Sequence, residues 1–283
     1  MIRIVVDSSS DMFTGDNISV VPMQVQIDDK DYLDGVDLTR DAFYDILTNT
    51  SSFPKTSQPS PQALVDIFED VKAKGDSCIA IMLSGGLSGT YQSAVLAKQI
   101  VDYDKIFVID SKTTTYGVKI LVDYVLTLEK EGKTVEEIVE KVEKIKRRIT
   151  IYAGLDTLEY LSRGGRLSKA AELIGSMVNI KPIITLDEEG KIQVPTKCLG
   201  VVKAVRYIVD KVVKDEIDTN HGFYTVYTSG TSNTEKLEKK LEKEGIAVAG
   251  RAQVGPTIGS HVGPEAYGVI FVRKKKLEVK IFE

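Results

Sequence analysis

Cysteine and histidine are scarce in this chain, and their scarcity removes several kinds of site. The 283 residues include two cysteines, Cys78 and Cys198, and two histidines, His221 and His261. Because the cysteines form no C-x-x-C pair, we expect neither a disulfide framework nor a thiolate zinc site, and a reducing compartment fits. No cluster of histidine and acidic residues has metal-ligand spacing either. The sequence therefore predicts a protein without a metal or other cofactor.

Long apolar runs and a large excess of one charge are also missing. No run approaches the roughly 20 apolar residues that span a bilayer, so no transmembrane segment is predicted. The formal net charge of −4 makes nucleic acid a poor partner. Met1 leads directly into the strand-like residues 2–6, with no signal-peptide pattern. We expect a cytoplasmic protein.

Strand-like and helix-like segments alternate through the first half of the chain. Apolar runs at 2–6, 78–83 and 106–110 predict buried strands, and a more irregular strand is predicted at 20–27. Helices with a 3.6-residue apolar period lie between them. This alternation predicts an α/β domain with a parallel sheet over residues 1–150.

The pattern changes after residue 150. Two short strand candidates, at 182–186 and 191–194, flank a turn at 187–190 and predict a hairpin. Further strands are predicted at 223–227, 246–252 and 269–272, with a long helix before them. Paired short strands with helices to one side predict an α+β domain over residues 151–283.

Local signals predict where several helices begin. Ser60 followed by Pro61 predicts a start, Gly75 predicts the corresponding stop, and Thr134 with Glu137 forms a capping box. Two charged tracts are interpreted more simply, as solvent-exposed. They are the acidic residues Asp28, Asp29, Asp31, Asp34 and Asp37, and the basic run Arg273, Lys274, Lys275 and Lys276.

A glycine-rich stretch at 83–93, Leu-Ser-Gly-Gly-Leu-Ser-Gly-Thr-Tyr-Gln-Ser, joins a predicted strand to a predicted helix at 90–101. Ala94, Ala97, Ile100 and Val101 are expected along the apolar side of that helix. The turn brings backbone N–H groups, hydroxyls and the positive end of a helix to one point. This arrangement favours binding of an anion.

Three chemistries remain open for this stretch. A serine esterase or lipase would use Ser88 with His261, although Gly86 to Thr90 does not complete the G-x-S-x-G elbow. A phosphate or nucleotide site would be unusual, because neither phosphate-loop nor dinucleotide fingerprint is present. The third chemistry is binding without turnover, by neutral donors and an arginine that suit a carboxylate. The donors are Thr56, Ser57, Ser84, Ser88 and Thr90, with Arg166 and His261 as further candidates.

Five motifs, in order over nearly the whole chain, resemble those of the DegV family of bacterial fatty-acid-binding proteins. They are Asp7-Ser8-Ser9-Ser10-Asp11, Thr56-Ser57-Gln58-Pro59-Ser60, the stretch from Ser84 to Ser93, Gly164-Gly165-Arg166, and Gly259-Ser260-His261-Val262-Gly263-Pro264. The chain departs from the family pattern at two positions. Lys55 stands where the family usually has threonine, and Glu265 where it usually has a small residue.

The resemblance implies a two-domain α/β protein with one long-chain fatty acid, such as hexadecanoate, between the domains. It implies that residues matching Thr56 and Ser88 hold the carboxylate, with help from the backbone near Gly89. Ser57 is a neighbouring candidate, and Arg166 and His261 would lie near the head group. Proteins of this type resemble carriers that present the bound acid to a separate ATP-dependent fatty acid kinase. The chain itself would then be a lipid-binding carrier and not an enzyme.

Overall fold

A computed structural model of the protein describes residues 1–167 and 179–274. In chain order the elements are β1 (Ile2–Asp7), β2 (Ile18–Val21), β3 (Gln24–Ile27), β4 (Lys30–Leu33), α1 (Arg40–Asn49), β5 (Lys55–Ser57), α2 (Pro61–Ala73), β6 (Ser77–Met82), α3 (Thr90–Val101), β7 (Ile106–Asp110), α4 (Tyr116–Lys130), α5 (Val135–Ile145), β8 (Ile149–Gly154), α6 (Glu159–Arg163), β9 (Ile180–Leu186), β10 (Ile192–Leu199), α7 (Gly200–Asp215), β11 (Tyr224–Tyr227), α8 (Ser232–Lys243), β12 (Gly250–Gln253), α9 (Pro256–Val262) and β13 (Tyr267–Val272).

The first sheet is parallel, with the strand order β2-β1-β6-β7. Its strands are rich in β-branched residues, because both faces are covered by helices. Helices α2 and α3 pack on one face and α4 and α5 on the other. All four strands point the same way, so the loops after β1, β6 and β7 lie at one edge, where open α/β sheets bind ligands.

The second sheet is mixed, with the order β10-β9-β8-β13-β11-β12, and only β11 and β12 are parallel to each other. Helices α7 and α8 cover its outer face. Helix α4 contacts β1 and β6 of the first sheet and also β8 and β13 of the second. The predicted mixed α/β architecture, a parallel sheet followed by a further sheet with helices, is therefore confirmed. The division at residue 150 stays a prediction, since α4 and α5 join both sheets in one apolar core.

A small third sheet, β4-β3-β5, corrects the single strand predicted at 20–27. The chain pairs with β1 up to Val21, and after Met23 it enters an antiparallel ladder with β4 and β5. Sequence periodicity could not locate this change, because it depends on which distant strand offers backbone partners.

The predicted starts of α2 and α5 are confirmed by the hydrogen bonds of their N-cap residues. Ser60 and Thr134 each accept a hydrogen bond from the N–H of the third helical residue, and Glu137 completes the capping box. The helix predicted at 90–101 has those bounds. Both cysteines are free thiols, Cys78 buried in β6 and Cys198 half-buried in β10.

Several predictions about exposure are wrong. Ile100 lies on the solvent side of α3, because only the narrow helix face formed by Ala94, Ala97 and Val101 packs against the first sheet. Asp34 is buried, because it accepts hydrogen bonds from Ser8 and Thr257.

Arg273 is buried as well, beside Asp215. In the tract at 246–252 only the last residues form a strand. Lys275 and Lys276, in the basic run, lie outside the described residues.

Candidate ligand-binding site between the two sheets

A cavity of about 70 Å³ opens where the carboxyl ends of the first sheet face the second sheet. Its walls come from the segments after β2, β6 and β7, from β5, β8 and β9, and from α9. The lining residues are Met23, Thr56, Gln58, Leu83, Leu87, Ser88, Thr114, Ile151, Leu161, Arg166, Ile184, Thr185, Leu186, Ile192, Thr257, Ile258, His261 and Val262. The surface is mostly apolar, with a few polar groups gathered at one side.

The glycine-rich turn before α3 is fixed by hydrogen bonds to both sheets. The buried carboxylate of Asp7 accepts from the Leu83 N–H at 2.7 Å, and Asp110 accepts from the Gly85 N–H at 3.0 Å. Ser84 donates to the Gly190 carbonyl in the β9–β10 turn at 2.9 Å. Ser84 is fully buried and engaged there, so it is not a free donor as the sequence suggested.

Ser88 reaches the cavity from the end of this turn. Its Oγ accepts from the Thr90 N–H at 3.3 Å and lies 2.9 Å from Thr90 Oγ1. Thr90 is fully buried, so its hydroxyl proton has Ser88 Oγ as its acceptor. This assignment leaves the Ser88 proton free to be donated into the cavity. Gly89 follows as the N-cap of α3, and its α-carbon lies against Gln58 Oε1.

The short strand β5 separates Thr56 from its two neighbours. Successive side chains of a strand point to opposite faces. Thr56 pairs with the buried Val25 and lines the cavity, whereas Lys55 and Ser57 are exposed on the other face. The structure therefore does not bring Ser57 to the cavity, and the lysine that departs from the family pattern points towards solvent.

His261 and Arg166 complete the polar side of the cavity. His261 Nε2 lies 2.7 Å from Thr56 Oγ1, and Nδ1 has no hydrogen-bond partner among the residues described. Burial, helped by the nearby Arg166 guanidinium, lowers the pKa of His261 to about 4, so the ring is neutral at pH 7. Because a buried N–H without an acceptor is rarer than a bare ring nitrogen, we assign the proton to Nε2, which then donates to Thr56.

Arg166 is held by the backbone. Its Nε donates to the Leu87 carbonyl at 3.2 Å, and Nη1 donates to the Gly164 carbonyl. Gly164 in turn packs against the imidazole, where a side-chain Cβ would lie 2.3 Å from His261 Nδ1. The arginine thus adds a fixed positive charge beside the hydroxyl groups of Thr56 and Ser88.

A second cavity of about 60 Å³ adjoins the first. The two share Thr114, Ile151, Ile184, Ile258 and Val262, and the second is bounded almost entirely by apolar surface. The polar side of the first cavity and the apolar depth of the second suit an amphiphile with one anionic end.

Glu265, the other departure from the family pattern, lies away from these donors. It is exposed, with a positive φ of 59°, and its N–H bonds to Ser229 Oγ at 3.3 Å. Its carboxylate lies against Gly230, so it does not contact the polar side of the cavity.

The hydrogen bonds do not form a nucleophile–base pair from Ser88 and His261. Ser88 pairs with Thr90, and His261 pairs with Thr56. A serine hydrolase needs its base within hydrogen-bond reach of the nucleophile and a third group that orients the base. In the described residues Nδ1 has no such orienting partner.

Sequence reasoning found four residues of this cavity and missed others. Thr56, Ser88, Arg166 and His261 come together as expected, from segments up to 205 residues apart. Gln58 belongs to the second of the five family motifs, and the sequence does not predict it as a ligand contact. It donates to Ser93 Oγ at 2.9 Å beside Gly89. Thr114 and the apolar lining carried no signal in the sequence beyond ordinary strand and loop patterns.

Within the described part of the chain, no three histidine, cysteine or acidic side chains are grouped so that they could hold a metal ion. A helix long and apolar enough to cross a membrane is likewise not found there.

Comparison with known proteins identifies the family. A family model described as "uncharacterised protein, DegV family" matches residues 1–274. The chain belongs to the DegV family. A DegV domain-containing protein of Caldanaerobacter subterraneus subsp. tengcongensis is 40% identical over 279 residues, which cover 96% of this chain and 99% of that relative.

Solved DegV structures share the fold and bind fatty acids. A fatty acid binding DegV family protein of Streptococcus agalactiae superposes with a TM-score of 0.89 at 27% identity, covering 97% of this chain and 99% of that one. The structure of a DegV family protein from Thermus thermophilus, described for its fatty acid binding, superposes with a TM-score of 0.86 at 28% identity. The match covers 96% of this chain and 99% of that one. The predicted family membership is confirmed.

Proposed function

We propose that this protein binds one long-chain fatty acid in the cavity between its two sheets and presents the carboxylate to a separate ATP-dependent kinase. The observation that carries the proposal is the meeting of the Thr56 and Ser88 hydroxyl groups, beside Arg166, at the polar side of an apolar cavity. Its fatty-acid-binding structural neighbours support the choice of ligand.

The carboxylate would accept hydrogen bonds from Thr56 and Ser88, with the Gly89 backbone and the positive end of α3 behind them. Neutral donors suffice because the neighbouring Arg166 supplies the compensating charge. An unpaired buried carboxylate would instead take up a proton. Ser57 has no part in this arrangement, since it is exposed on the opposite face of β5.

The acyl chain would continue past Ile151 and Ile184 into the second cavity. Each buried methylene contributes about 0.8 kcal/mol, so a sixteen-carbon chain offers on the order of 10 kcal/mol before the costs of ordering. We expect the part that remains after these costs to keep the ligand bound during purification.

The kinase part of the proposal is supported by the family resemblance and by the half-buried position of the donors. Thr56 and Ser88 are partly accessible, so a carboxylate between them lies near the surface. The partner would supply ATP and the phosphoryl-transfer chemistry, and this chain would position the acceptor. The product would be an acyl phosphate.

Organic-solvent extraction of the purified protein, followed by mass spectrometry, tests the ligand. We expect one long-chain fatty acid per chain, or saturable binding of added hexadecanoate. Protein that carries no lipid and binds no added fatty acid would refute the carrier function.

Two further assays separate the catalytic alternatives. Incubation with ATP and a fatty acid kinase should yield an acyl phosphate that hydroxylamine traps. Hydrolysis of a chromogenic ester without ATP, together with fluorophosphonate labelling of Ser88, would instead establish an esterase.

A further inference from the structure

The β9–β10 hairpin forms one wall of the fatty-acid cavity, and its outer half is attached differently from its inner half. Among the described residues, β9 pairs with β8 at Ile183 and Ile184 only. From Thr185 onwards, its ladder partner in this part of the chain is β10. The outer half of the hairpin, residues 185–193, therefore extends beyond the second sheet as a two-stranded ribbon.

The other strand of the hairpin is irregular at the same level. The register of β10 against β9 shifts between Gln193 and Thr196. Val194 and Pro195 lie in that gap, opposite the single residue Ile184. An extra residue of this kind is a β-bulge, which bends a strand and interrupts its ladder, and proline has no N–H with which to restore the pairing. Both strands thus lose regular pairing at one level, where the outer half can bend.

The inner face of the outer half closes the cavity. Thr185, Leu186 and Ile192 all line it. Deeper lining residues are buried, Leu161 completely and Ile184 with 6% of its surface exposed. An acyl chain reaches that depth only when a wall moves.

The other walls are held more firmly. Strand β8 pairs with β13 along its whole length, and helix α9 places glycines against Tyr44 and Tyr160, where a Cβ would not fit. The glycine-rich turn is fixed by the carboxylates of Asp7 and Asp110. Compared with these walls, the outer half of the hairpin is the least constrained.

Hydrogen bonds to backbone carbonyls hold the tip of the hairpin in its closed position. Ser84 Oγ donates to the Gly190 carbonyl at 2.9 Å, and Lys112 Nζ donates to the Glu189 carbonyl at 3.3 Å. Lys112 also forms an ion pair with Asp110 at 2.8 Å, so its side chain links the first sheet to the hairpin. Its backbone has a φ of 57°, an unfavourable conformation for lysine that persists where the surroundings impose it.

The tip itself is braced by its own hydrogen bonds. The Asp187 carboxylate accepts from the Lys191 N–H and from Gln193 Nε2, both at 2.8 Å. The Asp187 N–H bonds to the Lys191 carbonyl, and the Gly190 N–H bonds to the Asp187 carbonyl. All these bonds lie within the outer half, so it can move as one body without breaking them.

We propose that residues 185–193 form a lid that swings about Ile184 and Pro195 to admit and release the fatty acid, and that Lys112 holds it closed. Opening breaks the hydrogen bonds of Lys112 and Ser84 to the tip and leaves those within the hairpin intact. The acyl chain passes between β8 and β9, where their pairing ends. The inference rests on the proposed fatty-acid function and adds the route of entry and release.

A lid has a characteristic kinetic signature. Association and release both pass through the open state, so a change that only favours opening raises both rate constants by the same factor. The dissociation constant then stays unchanged, because the closed state still dominates with and without ligand. Damage to the cavity wall would instead speed release and weaken binding.

Stopped-flow association of a fluorescent fatty acid with the purified, delipidated protein, and its displacement by unlabelled hexadecanoate, measure the two rates. Lys112→Met removes the ion pair and the hydrogen bond to Glu189. We expect both rates to rise roughly three- to tenfold, with the dissociation constant constant within about twofold. Lys112→Arg keeps the cation and a donor and should bring both rates back towards those of the wild type.

Lys119→Met is the matched control. Lys119 is similarly half-buried and forms an ion pair with Asp123 on α4, away from the hairpin. Its replacement should leave both rates unchanged.

Unchanged rates in Lys112→Met would overturn the lid, as would equal acceleration in Lys119→Met. Faster release with a matching loss of affinity would also overturn it, because that pattern indicates a damaged wall. If the wild-type protein binds no fatty acid, the proposed function itself fails. Binding by the wild type with unaltered rates in Lys112→Met refutes the lid alone.

Discussion

Thr56 and Ser88 are placed alike, although they come from different elements. Each hydroxyl lies within hydrogen-bond distance of a buried group, His261 Nε2 at 2.7 Å for Thr56 and the Thr90 hydroxyl at 2.9 Å for Ser88. With the protons assigned to those two partners, each hydroxyl keeps its own proton for the cavity. Donors oriented in this way lose little entropy when an anion arrives, which makes them worth more than exposed hydroxyls.

Removal of either hydroxyl should weaken fatty acid binding. A hydrogen bond to a charged group contributes about 1.5–3 kcal/mol, so Thr56→Ala and Ser88→Ala should each lower affinity roughly ten- to hundredfold. Titration with a fluorescent fatty acid measures the change. Ser57→Ala is the control, because it removes a hydroxyl from the exposed face of the same strand. Equal losses in Ser57→Ala and Thr56→Ala would contradict the assignment.

His261 should make the protein less stable in acid. Its pKa falls from 6.5 to about 4 on folding, so the unfolded chain takes up a proton that the folded chain refuses. The free energy of unfolding is therefore unaffected at pH 7 and declines as the pH falls from about 6.5 towards 4, by up to roughly 3 kcal/mol.

Urea denaturation at pH 7 and pH 4.5 measures this effect. In His261→Gln the acid-dependent decline should be smaller by the contribution of this one group. Other titrating groups, including His221 and the buried aspartates, are present in both proteins and cancel in the comparison. An unchanged pH dependence would show that His261 is protonated without cost.

At the scale of elements, the tip of the β9–β10 hairpin rests on the glycine-rich turn. A Cβ on Gly86 would lie 2.7–2.8 Å from backbone atoms of Glu189 and Gly190, which cannot move aside as a flexible side chain could. Ser84 ties the same two elements through the Gly190 carbonyl. The contact fixes one wall of the cavity against its polar side.

Gly86→Ala should separate these elements. We expect a loss of about 1–3 kcal/mol in the free energy of unfolding and faster release of the fatty acid, since the cavity wall shifts. Thermal denaturation and a ligand-exchange assay measure the two effects. Gly15→Ala is the matched control, because nothing lies within 4 Å of its added Cβ. A Gly86→Ala protein as stable and as retentive as Gly15→Ala would rule out the contact.

Elements with local signals were predictable, and elements defined by distant partners were not. Ser60 with Pro61 and the capping box at Thr134 determine where α2 and α5 begin, because cap and helix lie within four residues. The break between β2 and β3 depends on pairing with β1, β4 and β5. The burial of Asp34 depends on Thr257, 223 residues away.

The same distinction applies to the site. Ser88 and Gly89 belong to one turn and were recognisable as an anion-binding arrangement. The approach of His261 to Thr56 follows from family resemblance and not from spacing, since 205 residues separate them. Helix α9 was not predicted, because a glycine at 259 is unfavourable in a helix of only seven residues. Gly259 is needed there because it packs against Tyr44 and Phe43.

At the scale of the whole molecule, the first cavity and the adjoining second cavity lie along the interface between the two large sheets. Ile184 of β9 is one of the five residues that line both cavities. A larger side chain there would reduce the apolar space where the two cavities adjoin and leave the polar side of the first cavity intact.

Ile184→Phe should therefore shorten the ligand. We expect the fatty acids recovered by extraction to shift to shorter chains, with a modest stability cost of about 1–3 kcal/mol from overpacking. Mass spectrometry of the extracted lipid measures the distribution. Leu96→Phe, on the exposed face of α3, controls for the added ring. An unchanged distribution of chain lengths in Ile184→Phe would show that the acyl chain does not pass Ile184.

The cavity is bounded by the same strands and helices that form the protein's interior. A fatty acid bound there would fill part of the hydrophobic core with atoms that do not belong to the chain. Bound ligand at a hundred times its dissociation constant adds about 2.7 kcal/mol to the free energy of unfolding. Empty molecules would open more often and be degraded sooner, so the cellular amount of this protein would follow the supply of its lipid.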